Sequence, residues 1–466
     1  MERSVNFRVI IAAMLVLAFG PITLNAQKNA GTLCDCTPDD VLIDIVNQAD
    51  LAAIAAQYDL HPTPQSQVGS PPTYRMRIDR SKTQQTPLEI VAAMTGDARI
   101  TQKETNRKLS VVEREGLPWT LGRSWAIGRS WAIGGSSKGY NRQWFPGMIR
   151  LNEAHAISRG AGVKVAVLDT GIDLTHPAFE GKLVPGYDFV DNDSDPSEVG
   201  IIRQNPTYGH GTHVAGIIAL TAPDAKIMPI RVLDENGESD LWRIKDAMIW
   251  ASKNGATVVN MSFGYPQDFT PQSNTFLSDL FNGCDDEVIP GQQLFPEFDD
   301  NRLLIVAGAG NGGTIGNGAD RIYPAAERGG EFEIDDNLLS VGASTRLDRL
   351  ASFSSMAHVA NRDIDRWVRV VAPGEDIVSA IPGGRYGLWS GTSMSAPVVS
   401  GIAALVKAAN PTLPLTALVE RVEETGFEWD CQLPSRNIRM ETSRVDALCA
   451  LTNNEACYQP RRTCTE

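Results

Sequence analysis

Six short apolar runs between residues 162 and 374 constrain the fold of this chain more than any other feature. Each run ends at, or is followed directly by, Gly, Asp or Ser, and segments with helical spacing such as LWRIKDAMIWASKNG separate several of them. Continuous apolar strands that alternate with helices are typical of a parallel sheet covered on both faces. The sequence therefore predicts an α/β fold with a doubly wound, mostly parallel sheet. The runs are GVKVAVLD, KIMPIRVL, GATVVNMSF, RLLIVAGAG, LLSVGAS and RVVAPG.

Three polar side chains stand where such a sheet gathers its functional groups, at the carboxyl ends of strands and the helix starts beside them. Asp169 ends the run VKVAVLD, His210 lies in YGHGTHVAGIIAL, and Ser393 lies in GTSMSAP ahead of a long apolar run. Taken singly, the serine could cap a helix, the histidine could be structural and the aspartate could belong to a turn. Their occurrence together, beside glycines that let another backbone come close, favours a reactive site.

The blocks VLDTGID, GHGTHVAG and GTSMSAP, in this chain order, resemble the three signature blocks of subtilisin-like serine peptidases. The resemblance extends over about residues 144–450 and implies a serine endopeptidase that needs no cofactor for catalysis. It assigns the nucleophile to Ser393, the general base to His210 and the orienting carboxylate to Asp169. A serine hydroxyl needs such a base, because it is a poor nucleophile at neutral pH. His213, one turn further on, would be structural.

The same resemblance assigns the groups around the reacting bond. VAGAGNGG resembles the block that ends in an oxyanion asparagine, so Asn311 is expected to donate to the tetrahedral intermediate. NMSFG resembles the edge segment that pairs with the substrate backbone, and GESDL would form the opposite wall. Main-chain pairing tolerates many side chains, so we expect a broad range of protein and peptide substrates. The wall residues are Ser262, Phe263 and Gly264 on one side, and Gly237 to Leu241 on the other.

The prediction for the primary specificity pocket depends on a single residue. In family members the residue before a Tyr-Pro pair lies at the pocket floor, and the pair Tyr323-Pro324 gives this place to Ile322. A branched side chain there fills volume that an aromatic substrate residue would need. We therefore expect a shallow pocket that prefers small residues; the alternative is that Ile322 points into the core.

An acidic loop, YDFVDNDSDPSE, precedes the histidine block. Its carboxylates are hard oxygen ligands, which suit calcium rather than zinc. The spacing resembles a calcium loop found in some subtilisin-like enzymes, and the alternative is a solvated acidic turn. The candidate ligands of a structural calcium ion are Asp188, Asp191, Asp193 and Asp195.

The N-terminal region has the pattern of an exported precursor. Residues 1–26 combine a basic start, an apolar stretch too short to span a bilayer and a small residue at Ala26, which indicates a signal peptide. Residues 27–115, with a β-α-β-α-β order, resemble the inhibitory propeptides of the family; an accessory binding domain is the alternative. Residues 116–143, which contain the repeat GRSWAIGRSWAIGG, are expected to form a Gly/Ser-rich linker with the processing site.

Seven cysteines fit an oxidising compartment. Four of them crowd the C-terminal part of the chain, where residues 451–466 are expected to form a Cys-containing tail. Four cysteines allow three pairings, which the sequence does not separate. A zinc site is the alternative, but no Cys-x-x-Cys pair occurs among them. The cysteines are Cys34, Cys36, Cys284, Cys431, Cys449, Cys457 and Cys464.

The net charge of −14 argues against a nucleic-acid partner, because such proteins neutralise phosphates with basic surface. We expect a monomer without a membrane span, secreted to the extracellular space or the periplasm, with its own propeptide as inhibitor. The alternative from another class is an inactive secreted binding protein on a peptidase scaffold. An aspartic peptidase would need a second DTG carboxylate, and a zinc hydrolase would need an H-E-x-x-H motif; the sequence contains neither.

Overall fold

The structure is a computed structural model. It describes residues 36–69, 72–111, 131–201, 204–266, 303–312, 322–326, 337–355, 368–433, 438–453 and 462–463. The predicted signal peptide, the first half of the predicted linker and most of the C-terminal tail lie outside the described residues.

Residues 36–111 form an antiparallel sheet with helices on one face. Strand β1 pairs with β3 on one side and with β4 on the other, and β2 extends the sheet beyond β3. Ile54 and Ile90 of the two helices pack in one apolar cluster with Ile43 and Met76 of the strands. The elements are β1 (Cys36–Ile45), a 3-10 turn (Gln48–Asp50), α1 (Leu51–Gln57), β2 (Ser66–Val68), β3 (Thr73–Arg77), α2 (Pro87–Ala93) and β4 (Ile100–Val111).

The elements after residue 130 alternate between strands and helices, as the apolar runs predict. In chain order they are β5 (Trp131–Gly135), α3 (Ser137–Asn141), α4 (Phe145–Met148), α5 (Leu151–His155), β6 (Lys164–Asp169), a 3-10 turn (Pro177–Phe179), β7 (Tyr187–Asp188), α6 (His210–Thr221), β8 (Lys226–Arg231), β9 (Glu238–Asp240), α7 (Leu241–Lys253), β10 (Val258–Met261), β11 (Phe263–Pro266), β12 (Leu304–Gly308), β13 (Ile322–Tyr323), β14 (Leu338–Ser344), β15 (Val370–Pro373), β16 (Ile377–Ile381), β17 (Arg385–Trp389), α8 (Thr392–Ala409), α9 (Leu415–Glu424), β18 (Phe427–Leu433), β19 (Ile438–Arg444), α10 (Ala447–Thr452) and β20 (Arg462–Thr463).

The larger sheet has the strand order β20-β18-β19-β15-β14-β12-β10-β6-β8-β7. Neighbouring strands are parallel from β7 through β19, and β18 runs antiparallel to β19 at the far end. Every residue of β10, β12, β14 and β15 is buried, which explains why these strands are continuously apolar in the sequence. The predicted α/β class with a mostly parallel sheet is confirmed.

Strand β6 shows how the sheet separates two cores. Val165 and Val167 belong to the apolar cluster that contains helices α6 and α8, whereas Ala166 and Leu168 belong to the cluster that contains helix α7. Alternate residues of a strand point to opposite faces, so helices cover both sides of the sheet. The end of β6 is therefore held rigidly from both faces.

Helix α8 is long and apolar enough to cross a membrane, the one such helix among the described residues. Of its most apolar 18-residue window, 83% is buried inside the protein. This burial is what a core helix requires.

The second half of the predicted linker differs from the expectation. Trp131–Gly135 is a strand that pairs antiparallel with β17. The next helix, α3, is tied to the parallel-sheet body because Tyr140 Oη donates to the carbonyl of Gly216 at 2.6 Å. Residues 131–141 thus belong to the folded body. The Gly/Ser content of this segment is typical of a linker. The sequence does not indicate the strand, because its pairing partner lies about 250 residues away in the chain.

Candidate active site

Asp169 and His210 meet at the carboxyl end of the parallel sheet. Asp169 is the last residue of β6, His210 is the first residue of α6, and both are fully buried. The ring Nδ1 of His210 lies 2.7 Å from Asp169 Oδ1. Because an ionised carboxylate can only accept, Nδ1 carries the proton in this pair and Nε2 is left as the basic nitrogen.

Close packing between the two elements depends on Gly211. A Cβ atom at this position would lie 2.2 Å from the carbonyl oxygen of Gly171 and 3.0 Å from the Asp169 Cβ. The glycine after the histidine therefore lets helix α6 approach the end of β6. The indole of Trp389 packs edge-on against the His210 ring, with 5.2 Å between centroids.

Ser393 lies in the first turn of α8, after Gly391 at the helix start. Its Oγ donates to the carbonyl of Ser262 at 3.1 Å, and the Ser262 Oγ donates to the Ser393 carbonyl at the same distance. Ser262 follows strand β10, so this pair of bonds joins the serine to the sheet end. The first N–H groups of a helix have no acceptor within it, which makes the Ser393 N–H a donor for an anion.

Asn311 follows strand β12 and is 7% exposed. Its Oδ1 accepts from the N–H of Thr392 at 2.9 Å, and Thr392 Oγ1 accepts from the N–H of Gly310 at 3.0 Å. The contact with an N–H identifies Oδ1, so Nδ2 is the donor end of the amide. The loop after β12 and the start of α8 are therefore one hydrogen-bonded unit.

The two predicted substrate walls lie on either side of an extended segment of this same chain. Strand β4 pairs antiparallel with β11, with Val111 opposite Phe263 and Ser110 opposite Gly264. On its other edge β4 pairs antiparallel with β9, and the Val111 N–H donates to the carbonyl of Gly237 at 3.2 Å. Leu109 is buried in the apolar cluster that also holds Leu241. Residues 108–111 thus form the middle strand of a three-stranded arrangement.

The aspartates of the acidic loop have an arginine and backbone N–H groups as partners. Asp188 and Asp191 each place an oxygen 2.6 Å from Nη1 of Arg231, and the guanidinium is almost fully buried. The carboxylates of Asp193 and Asp195 instead accept from the backbone of their own turn. The described residues contain no group of three or more His, Cys, Asp or Glu that could hold a metal. Arg231 thus compensates part of the charge of this loop, and calcium binding by the four aspartates stays a prediction.

His213 and Ile322 are the other two positions that the sequence analysis singled out. His213 is fully buried, its Nε2 lies 3.3 Å from the carbonyl of Gly387, and burial lowers its pKa to about 3. It is therefore neutral and packed beside Trp389, away from Asp169. Ile322 belongs to the short strand β13, opposite Pro266, but its side chain lies outside the described part of the chain. The pocket preference stays a prediction.

Sequence reasoning missed Glu198, which is half-buried and hydrogen-bonded to residues beside both Asp169 and His210. Burial raises the pKa of its carboxyl to about 7. The segment SDPSEVG around it has the composition of a solvated turn, and nothing in the sequence separates Glu198 from the acidic residues before it. Only the fold reveals its place.

Comparisons with known proteins find similarity over the part of the chain that carries these residues. A family model described as the Subtilase family matches residues 160–426, which include Asp169, His210, Asn311 and Ser393. Similar curated proteins are a thermophilic serine proteinase from Bacillus sp. (strain AK1), 38% identical over 275 residues that cover 57% of each chain, and thermitase from Thermoactinomyces vulgaris, 33% identical over 304 residues that cover 62% of this chain and 92% of that protein.

Among solved structures, fervidolysin from Fervidobacterium pennivorans, described as a keratinolytic enzyme related to subtilisin, has a TM-score of 0.62 and 22% identity. The match covers 90% of this chain and 61% of that one, and at this identity it bears on the fold alone. This chain thus spans only a little over half the length of the first curated relative and of this structural neighbour.

Proposed function

This chain belongs to the subtilase family, and we propose that it is a serine endopeptidase that cleaves peptide bonds through Asp169, His210 and Ser393. The observation that carries the proposal is the extended segment 108–111, which lies between the two walls and runs toward Ser262, the residue bonded to Ser393. A cleft that pairs with an extended peptide segment along both of its walls is suited to binding a peptide substrate. The Asp169–His210 distance of 2.7 Å supports the same conclusion.

In the proposed reaction each of these groups has one role. Ser393 Oγ attacks the peptide carbonyl while His210 Nε2 takes its proton, and the protonated imidazole then gives that proton to the leaving amine. Asp169 holds Nδ1–H and stabilises the positive charge on the ring. Asn311 Nδ2 and the Ser393 N–H donate to the oxyanion. Water then hydrolyses the acyl-enzyme by the same steps in reverse.

Residues 36–111 would act as the inhibitory propeptide of this enzyme. Strand β4 occupies the cleft, so a substrate has to displace it. A second contact supports this role, because the buried Lys245 of helix α7 donates from Nζ to Thr73 Oγ1 at 2.6 Å. A third is the Trp242 N–H, which donates to Asn106 Oδ1 at 3.1 Å near the start of the same helix.

Secretion as a precursor completes the proposal. Residues 1–26 lie outside the described residues, so their role as a signal peptide rests on the sequence. Cys36 takes part in a disulfide and so does Cys449, and disulfides persist mainly in oxidising compartments. Both features are consistent with export.

The test compares secreted wild type with Ser393→Ala and with Ser395→Ala as the matched control. Ser395 lies in the same helix turn, but its Oγ donates to the carbonyl of Ala372 at 2.9 Å, so it is not expected to react. A fluorophosphonate should label wild type and Ser395→Ala and leave Ser393→Ala unlabelled, and intact mass should show N-terminal processing in the same two proteins. Wild type that neither takes the label nor hydrolyses casein would support the inactive binding protein instead.

A further inference from the structure

Helix α6, which begins with His210, has no capping side chain of its own. Its N-cap is Gly209, which has a left-handed backbone with φ of 94° and no side chain to accept from the first turn. A helix start leaves its first N–H groups without intrahelical acceptors, and a buried start needs acceptors from elsewhere in the chain. The His210 N–H donates to the carbonyl of Thr207, and the carboxylate of Glu198, 12 positions upstream, accepts from N–H groups on either side of it.

Both oxygens of the Glu198 carboxylate accept hydrogen bonds. Oε1 accepts from Thr170 Oγ1 at 2.6 Å and from the Gly209 N–H at 3.0 Å. Oε2 accepts from the hydroxyl of Thr212 at 2.7 Å and from its N–H at 3.2 Å. The carboxylate therefore joins the residue after strand β6 to the first turn of helix α6.

The surroundings hold this carboxylate in place. The N–H of Glu198 donates to the carbonyl of Ile172, in the loop after β6, at 3.1 Å. The hydroxyl of Thr170, while donating to Glu198, accepts from the N–H of Gly211 at 3.0 Å. The same carboxylate thus reaches a third N–H of the helix start through a threonine.

We propose that Glu198 is a positioning residue, which holds the imidazole of His210 against the carboxylate of Asp169 by clamping helix α6 to the end of strand β6. The inference rests on the proposed peptidase function and names a residue that this reaction needs. The Asp169–His210 hydrogen bond joins a side chain of strand β6 to a side chain of helix α6. Its geometry therefore depends on the position of the helix relative to the strand. The hydrogen bonds of the Glu198 carboxylate go to Thr170, Gly209 and Thr212, and none of these is a wall residue, so we expect Glu198 to act on the rate of the chemical step.

Among the described residues, Asp169 and Tyr208 interact electrostatically with Glu198. Burial, together with the negative charge of Asp169, raises the pKa of the Glu198 carboxyl to about 7. Burial and the charge of Glu198 raise the pKa of Tyr208, which stays neutral. The ionised form of Glu198, which accepts all four hydrogen bonds, is therefore populated as the pH rises through about 7.

The decisive variant is Glu198→Gln in the full chain, with Glu180→Gln as its matched control. Each carboxylate oxygen of Glu198 accepts from a backbone N–H, so the amide NH2 of glutamine must face one of two donors, Gly209 or Thr212, whichever way it turns. Glu180 is exposed and undergoes the same chemical change. We expect Glu198→Gln to lower kcat, per active site titrated with a fluorophosphonate, by about 10- to 100-fold with KM changed by less than about twofold.

A second readout separates positioning from general stability. The proton between His210 Nδ1 and Asp169 gives a low-field ¹H resonance, which we expect to shift or broaden in folded Glu198→Gln and to stay unchanged in Glu180→Gln. A kcat and a resonance equal to those of Glu180→Gln would overturn the inference. If wild type itself hydrolyses no peptide, the proposed function fails. The resonance still reports whether Glu198 holds the His210 imidazole against Asp169.

A further pair of variants covers the case in which Glu198→Gln does not fold. Thr170→Val removes the hydroxyl that links Glu198 to the Gly211 N–H with little change of shape, and Thr170→Ser keeps it. We expect Thr170→Val to lose kcat in the same direction and Thr170→Ser to restore most of it. Equal activity of the two variants would contradict the clamp.

Discussion

At the scale of single residues, the carboxyl of Glu198 makes the free energy of unfolding depend on pH. Its carboxyl has a pKa of about 7 in the fold and an ordinary value of 4.5, because burial disfavours the ionised form. A raised carboxyl pKa means that its contribution to the free energy of unfolding is fully present below pH about 4.5 and is lost as the pH rises through about 7. Wild type should therefore lose stability relative to Glu198→Gln across this interval.

The measurement is the Tm of both proteins at several pH values, in a Ser393→Ala background that prevents self-digestion. Because glutamine does not titrate, the difference in Tm between the two proteins isolates the carboxyl at position 198. A difference that is constant between pH 5 and 8 would mean that the carboxyl has the same pKa in the folded and unfolded chain.

At the scale of the elements, an ion pair links the ends of two strands. Arg231 ends β8, Asp188 ends β7, and both side chains are 2% exposed. Removing one member of such a pair leaves a buried charge, so Arg231→Ala should lower the free energy of unfolding by about 3–5 kcal/mol. Because Arg231 already pairs with two carboxylates of the loop, we expect excess EDTA to leave the wild-type Tm unchanged.

Denaturant unfolding and a melting curve with and without EDTA check both statements. The double variant Asp188→Asn/Arg231→Met should recover much of the loss, because it removes both charges together. A Tm that falls in EDTA and returns with calcium would restore the calcium loop that the sequence suggested.

Much of the fold could be predicted because its signals are local. The apolar runs predict their strands because these strands are buried on both faces. Asp169, His210 and Ser393 lie at the ends of elements, and a single sequence block defines each of these ends. Strand β5 and Glu198 carry no local signal. The first depends on pairing with β17, and the second on donors that the chain supplies from two other elements. From composition alone, the segment of strand β5 looks like a linker and the segment around Glu198 looks like a solvated turn.

At the scale of the whole molecule, the order of the segments determines where the precursor can be cut. Strand β5 pairs with β17, and helix α3 is tied to Gly216, so both belong to the body that carries the site. A cut within or after them would remove an edge strand and a helix from that body. The processing site should therefore lie before residue 131.

The register of strand β4 narrows this position further. Val111 stands opposite Phe263 in an antiparallel pair, and the preceding wall residue, Ser262, accepts a hydrogen bond from Ser393 Oγ. In an antiparallel register the chain that leaves Val111 advances toward Ser262, so the bond presented to Ser393 should come within a few residues of Val111. N-terminal sequencing and intact mass of the mature protein should place its first residue between 112 and 116, with no such product from Ser393→Ala. A mature protein that begins after residue 135 would mean that β4 does not lie in the cleft as a substrate does.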